Sequence, residues 1–339
     1  MSLMIVGEFP TQNETTSGPF TNGLWGYFKA KLSQVGINPR EVMWRNVINQ
    51  PAANFFAFTQ KGKPGSLPGL PAIAKGFYLR PEFSGDLFRL YSDINKLKPN
   101  LILAVGDLPL IALTHQSALK FARGRVTTTI PAAGGCKVLP VLHPRAIMAE
   151  IKQEPILFAD LNKAKREMLF AEVRRPRRFL HLYPTLEDLE SFWQEYIAPS
   201  SALSIDIETK GTMITCVGVA PSPERALVIP FFDEGKPSGN YWPDVKSERL
   251  AWEFVRRLCS TPGKLVFGQN FSYDAQYLWR EMGIPIPMWR DDTMIMHHAL
   301  QPEMEKGLGF LASIYSDELA WKFMAKRRAA DRSGKKEDN

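Results

Sequence analysis

Ser204-Ile-Asp-Ile-Glu-Thr209, SIDIET, lies inside the longer run ALSIDIET (202–209). Its apolar residues Leu203, Ile205 and Ile207 alternate with polar ones, the two-residue period of a half-buried strand. Asp206 and Glu208 therefore share the opposite face. Strands are depleted in Asp, and two neighbouring carboxylates repel each other unless a positive charge lies between them. A divalent cation such as Mg²⁺ or Mn²⁺, which takes oxygen ligands, suits that position. Solvated charges on an exposed edge strand suit the same pattern equally well.

Working outward, KLVFGQNFSYDAQYL (264–278) reads as a buried strand broken at Gly268, then a helix over Phe271–Met282. Asn270 and Asp274 stand at i, i+4, on one helical face if the helix starts there. Asn270 reads alternatively as a plain N-cap, with Asp274 on the surface. Around these lie FLHLYP (179–184), a helix over Glu187–Tyr196, strands TCVGVAP (215–221) and ALVIPFF (226–232), and a helix over Ser247–Cys259. Consecutive strands followed by helix–strand–helix predict an α/β domain with a mixed sheet.

The N-terminal half has a different rhythm. LMIVGEF (3–9), VMWRNVI (42–48), LILAVGD (101–107) and CKVLPVLH (136–143) are near-continuous apolar runs, the signature of parallel strands buried on both faces. Helices are expected over Trp25–Gly36, Ser84–Leu97 and most of Arg145–Phe170. The Pro- and Gly-rich stretch 49–81 reads as irregular surface. Strands alternating with helices predict a parallel-sheet α/β domain. RRPRR (174–178) interrupts the pattern, giving domains over 1–172 and 181–322, a basic linker at 173–180, and a basic tail at 323–339 whose composition predicts disorder.

Composition sets outer limits. A chain of 339 residues, 45% hydrophobic, is long enough for about two full cores. Its net charge of +7 and the basic clusters at 174–178 and 322–336 favour an anionic partner such as nucleic acid, and fit solvated surface equally. Three scattered cysteines, with no CxxC pair, argue against a zinc site or disulfide framework and fit a reducing cytoplasm. The opening MSLMIVGEFP lacks the basic start of a signal peptide, and no run of about 18 apolar residues predicts a membrane span.

Taken together, SIDIET, GQNFSYDAQYL and DDTMIMHHALQPEMEKGLGFLASIY (291–315) resemble the exonuclease domain of family A DNA polymerases, of the ribonuclease-H-like group with a DEDD carboxylate set. The resemblance covers about residues 178–322 and is closest to bacteriophage members. It implies that Asp206, Glu208 and Asp274 hold two Mg²⁺ or Mn²⁺ ions about 4 Å apart and hydrolyse phosphodiesters from a 3′ end. Asn270 would position substrate or the neighbouring carboxylate. Single-stranded DNA 3′ ends are the implied substrate, in the bacterial host's cytoplasm if the chain is phage-encoded. The family's fourth carboxylate, an Asp four residues after a Tyr, is missing: four residues beyond Tyr315 stands Leu319. Asp317 and Asp331 are the nearby substitutes. The chain reads as the front part of a longer polymerase, with a polymerase domain or other replication proteins as partners.

In the first half, GEFPTQNETTSGPFTNG (7–23), WRNVINQP (44–51), FARGRV (121–126) and VLPVLHPRAIM (138–148) follow one another in an order that resembles the uracil-DNA glycosylase superfamily, nearest its family 4. That resemblance implies an α/β/α fold in which Glu8 orients water, Phe20 stacks on a flipped base, Asn46 reads its edge and His143 stabilises the leaving base. The family's iron–sulfur cluster needs four cysteines; this half has only Cys136, so no cluster is expected. Thr11 and Arg145 also depart from the family pattern. Three functions remain open on sequence: an exonuclease module, a bifunctional repair protein that also excises uracil, and a DNA-binding fragment without catalysis.

Overall fold

The computed structural model describes residues 2–12, 14, 20–62 and 77–318. Parts of the Pro10–Gly23 loop and of the 49–81 stretch, together with Asp331 and the basic tail, lie outside them. The chain divides into two compact units, 1–175 with 309–339, and 176–308.

The first unit contains β1 (Leu3–Gly7), α1 (Gly23–Gln34), β2 (Met43–Asn46), β3 (Thr59–Lys61), β4 (Phe77–Leu79), α2 (Ser84–Leu97), β5 (Leu101–Val105), α3 (Asp107–Thr114), α4 (Leu119–Ala122), β6 (Thr127–Thr128), β7 (Lys137–Val141), α5 (Pro144–Ala149) and α6 (Glu154–Glu167). Its main sheet runs β2-β1-β5-β7-β6, with the first four strands parallel and β6 antiparallel. Every residue of β1, β5 and β7 is buried, as continuous apolar runs demand when helices cover both faces. Leu3 and Ile5 pack with Trp25, Phe28 and Leu32 of α1 and Leu157 and Leu161 of α6. Met4 and Val6 pack on the other side with Leu87, Leu90 and Ile94 of α2 and Ile111 of α3. Pro140 is tolerated inside β7 because β6 pairs only with Lys137 and Val138; beyond them a missing N–H breaks no ladder bond. The expected irregular stretch holds a small antiparallel β3–β4 pair, and the expected long C-terminal helix is broken into α5, a 3₁₀ turn at Ile151–Gln153, and α6.

The second unit contains β8 (Phe179–His181), α7 (Leu186–Phe192), β9 (Ala202–Lys210), β10 (Met213–Ser222), β11 (Arg225–Pro230), α8 (Val245–Ser260), β12 (Leu265–Gly268), α9 (Phe271–Met282), β13 (Trp289–Asp292) and α10 (Thr293–Leu300). Its sheet runs β13-β12-β9-β10-β11-β8. The β9–β10–β11 meander is antiparallel, β12 and β13 add in parallel on one side, and β8 adds in parallel on the other. Leu203, Ile205 and Ile207 point into a core with Val217, Val255, Leu258 and Phe271, while Asp206 and Glu208 are exposed on the outward face. The alternation read from the sequence is therefore the alternation of the strand. A short last helix, α11 (Leu308–Tyr315), packs with the first unit, whereas the sequence placed it in the second. Lys163 Nζ donates to Ser313 O and Ser316 O at its C-terminal end, and Arg125 donates to Gly309 O at its start. A cation suits the exposed carbonyls that end a helix.

Candidate active site

The β9–β12 pairing ends at Ser204–Phe267, so β9 runs on past its neighbour. The backbone N–H of Ile207 there donates to Asp274 Oδ1 at 2.8 Å. That bond ties the first turn of α9 to the strand residue lying between Asp206 and Glu208. Gly268 makes the approach possible: a Cβ there would meet the Phe271 ring at 2.4 Å and Ile205 O at 2.9 Å. Opposite Glu208, β10 carries a bulge between Ile214 and Cys216, and the intervening Thr215 donates its hydroxyl to Glu208 O at 2.9 Å. Bulges of this kind re-aim side chains beside functional sites.

Asp274 is 3% exposed, so the surface position allowed by the sequence is excluded. Burial pushes its carboxyl up to about 6, helped by the charges of Asp206 and Asp292 and opposed by the Ile207 bond. The Cys216 thiol is raised as well, first by burial and then by Glu208, with Asp206 adding to it. Asp206 and Glu208 thus share the outward face of β9, and Asp274 is bonded to the backbone between them, where the charge of Asp206 acts on it.

Asn270 sits at the N-cap of α9 in a left-handed conformation, φ 56° and ψ 43°, and its side chain makes no capping bond. The capping oxygens come from Asp292: Oδ1 accepts from Asn270 N at 3.0 Å and Oδ2 from Phe271 N at 2.7 Å. Sequence reasoning missed Asp292, although an Asp ahead of the apolar run TMIM is itself an N-cap signal. It also missed Tyr273, whose hydroxyl is 2.8 Å from Thr209 Oγ1, and Tyr277, which donates to Gly211 O at 3.2 Å. Both fasten the β9–β10 turn to α9.

All three side chains are carboxylates, the donors a hard divalent cation takes, and a cation would oppose the burial that chiefly raises Asp274 and the charges of Asp206 and Asp292 that add to it. Among the described residues no three His, Cys, Asp or Glu side chains are gathered closely enough to hold an ion. Asp317, one substitute for the fourth carboxylate, belongs to the first unit, where it pairs with Arg166 at 3.1 Å and Lys163 at 3.6 Å.

The four residues singled out in the first unit fall around the C-terminal ends of β1, β2 and β7. Asn46 pairs in register with Gly7. It is 5% exposed, and among the described residues its Oδ1 has no hydrogen-bond partner. A Cβ on Gly7 would lie 2.7 Å from that oxygen and 2.9 Å from the Phe20 ring. Phe20, at φ 63°, is buried edge-on against Trp25, with ring centres 4.8 Å apart, and lies 5.2 Å from Trp44. Burial pushes the Glu8 carboxyl up to about 7, against the lowering influence of the Arg145 charge and of the Leu108 and Asp107 amides at the start of α3. His143 Nδ1 accepts from Arg145 N at 3.1 Å, and burial next to Arg145 holds the imidazole down to about 4. At neutral pH that ring is uncharged, and an occupied Nδ1 lone pair puts its proton on Nε2.

Residues 182–335 match the model of a protein family described as 3′–5′ exonuclease; this part of the chain is a 3′–5′ exonuclease domain. A DNA polymerase of Bacillus phage SP01 is 22% identical over 329 residues, covering 87% of this chain. The chain spans 32% of that relative's length. Among solved structures, the ribonuclease D of Trypanosoma brucei in complex with GMP aligns with a TM-score of 0.34 at 13% identity, over 46% of this chain and 47% of that one. The catalytic core of RRP6 from the same organism aligns with a TM-score of 0.32 at 15% identity, over 42% of this chain and 38% of the other.

Proposed function

We propose that this chain is the proofreading part of a phage-type DNA polymerase, removing nucleoside monophosphates from single-stranded DNA 3′ ends in a ribonuclease-H-like domain. The observation that carries the reading is the Asp274–Ile207 bond, which sets a buried carboxylate behind the exposed Asp206 and Glu208. In this reading Asp206, Glu208 and Asp274 hold Mg²⁺ or Mn²⁺, which when bound supplies a Lewis acid that makes water nucleophilic near neutral pH. Asp206 and Glu208, open to solvent, face the scissile phosphate. Asp274, held by the Ile207 amide, fixes the rear of the site and keeps its orientation between turnovers. Asn270, with its side chain not used as a cap, is left to meet the terminal nucleotide. In this reading the exonuclease sequence runs over 181–322, including α11, which packs with the first unit, and follows a first domain of 1–172 and a linker; it acts in the host cytoplasm beside a polymerase domain. Among the described residues no helix is long and apolar enough to cross a membrane. Release of nucleoside monophosphates from a single strand, followed by chromatography in Mn²⁺, tests the reading. Asp206→Ala and Glu208→Ala should each abolish release; product that persists in both would overturn it.

A second reading, uracil excision in the first unit, is favoured by the buried Oδ1 of Asn46, which has no donor among the described residues. A buried acceptor without a donor is uncommon and costs about 1–3 kcal/mol, and a base edge carrying an N–H would supply the donor. Glu8, titrating near neutrality, and the neutral His143 are suited to orienting water and donating to a leaving base. Phe20 is already covered by Trp25 and Trp44, so stacking a base on it requires those rings to move. An alkali-labile break at a uracil, formed in chelator and lost in Asn46→Leu, tests this reading.

A further inference from the structure

Asp292 ends β13 and is 5% exposed. Besides its bonds to Asn270 N and Phe271 N, its Oδ1 accepts from Met294 N at 2.8 Å. One carboxylate therefore serves the starts of two helices, α9 and α10. The first amides of a helix have no partner within it, and the dipole favours an anion there. Asn270 cannot cap α9 itself, since its left-handed backbone leaves its side chain without a capping bond. A left-handed non-glycine residue is strained and persists only where its surroundings hold it. Asp292, bonded to the amide of that residue, is what holds it. Asp274 lies three residues beyond Phe271, within the same first turn, and takes the Ile207 amide.

We propose that Asp292 is a positioning residue for the exonuclease site. Its two oxygens fix the left-handed entry into α9, that entry sets the azimuth of Asp274, and Asp274 sets the stretch of β9 that carries Asp206 and Glu208. The proposal rests on the exonuclease reading above. It differs from an ordinary helix cap in its reach: a cap stabilises its own helix, whereas this one governs the geometry of a strand it does not touch.

The experiment compares wild type, Asp292→Asn and Asp292→Ala with Asp244→Ala. Asp244 caps α8 through the Ser247 amide at 2.8 Å and stands in for an ordinary cap. Steady-state exonuclease kinetics in Mn²⁺ are paired with amide hydrogen exchange at Ile207 and Phe271. Asp292→Asn, keeping one acceptor oxygen, should lower kcat at least tenfold with KM within twofold, and Asp292→Ala should lower it further. Both should lose protection at Ile207 as well as at Phe271. Asp244→Ala should lose thermal stability while keeping kcat and Ile207 protection. Wild-type kcat or wild-type Ile207 protection in Asp292→Asn would overturn the proposal, as would failure of both Asp292 variants to fold, which would mark a purely structural role. If the wild type itself releases no nucleotide, the exonuclease reading fails on its own, and Ile207 exchange alone decides for or against Asp292.

Discussion

Replacing Glu8 with Gln should stabilise the first unit at pH 8 and leave it unchanged at pH 4. The carboxyl of Glu8 is enclosed between Gly106, where a Cβ would lie 2.7 Å from Oε1, and the start of α3. Burial outweighs the Arg145 charge and the two amide bonds, and moves its titration from 4.5 to about 7. Below 4.5 the group is protonated whether the chain is folded or not. Between 4.5 and 7 the unfolded chain releases the proton while the native state retains it, so native stability falls as pH rises. Above 7 both states are ionised and the penalty is constant. At about 1.4 kcal/mol per pH unit across that interval, the full loss is about 3 kcal/mol. Gln keeps the shape and removes the charge, so it removes the loss. The assay is urea unfolding followed by tryptophan fluorescence at pH 4, 5, 6, 7 and 8, since Trp25 and Trp44 both pack in this unit. The wild-type and Glu8→Gln curves should diverge progressively from pH 5 upward. Parallel curves would refute the reasoning and place Glu8 in an environment as wet as solvent.

Gly268→Ala should cost about 1–3 kcal/mol by overpacking, because both near neighbours, the Phe271 ring and Ile205 O, are held in the core; thermal unfolding reads it, and exonuclease activity should fall with it. Asp274→Asn retains an oxygen to accept from Ile207 but no negative charge, so the fold should survive while kcat drops at least a hundredfold; an unchanged kcat would remove Asp274 from the site. Lys163→Met strands the carbonyls of Gly124 and Ser316, bonded at 2.7 and 2.8 Å, and should cost about 1–3 kcal/mol, measured as a lower Tm of the first unit with exonuclease kcat unaffected.

The parts of this architecture written in local pattern were legible. The alternation in ALSIDIET put Asp206 and Glu208 on the solvent face, and the unbroken apolar runs of β1, β5 and β7 announced a parallel sheet. What escaped depends on contacts between distant residues. β13 has only Asp292 buried, so WRDD shows no strand period. Asp274 gives no local sign of burial, because its environment is created by β9, more than sixty residues away. Asn270 carries the ordinary signature of an N-cap, and only the arrival of Asp292 explains why it does not act as one. α11 is short and apolar, with nothing in LGFLASIY to say which unit it packs on; the cations that receive it, Arg123, Arg125 and Lys163, lie far back in the chain.

In the proposed function, a carboxylate site shortens DNA from its 3′ end. Its most direct test is a single strand labelled at the 5′ end, incubated in Mg²⁺ or Mn²⁺, in chelator, and with Asp206→Ala. A ladder should shorten stepwise from the 3′ end in metal and be absent in chelator and in the variant. A full-length strand under every condition, or a ladder that survives both chelator and Asp206→Ala, would contradict it.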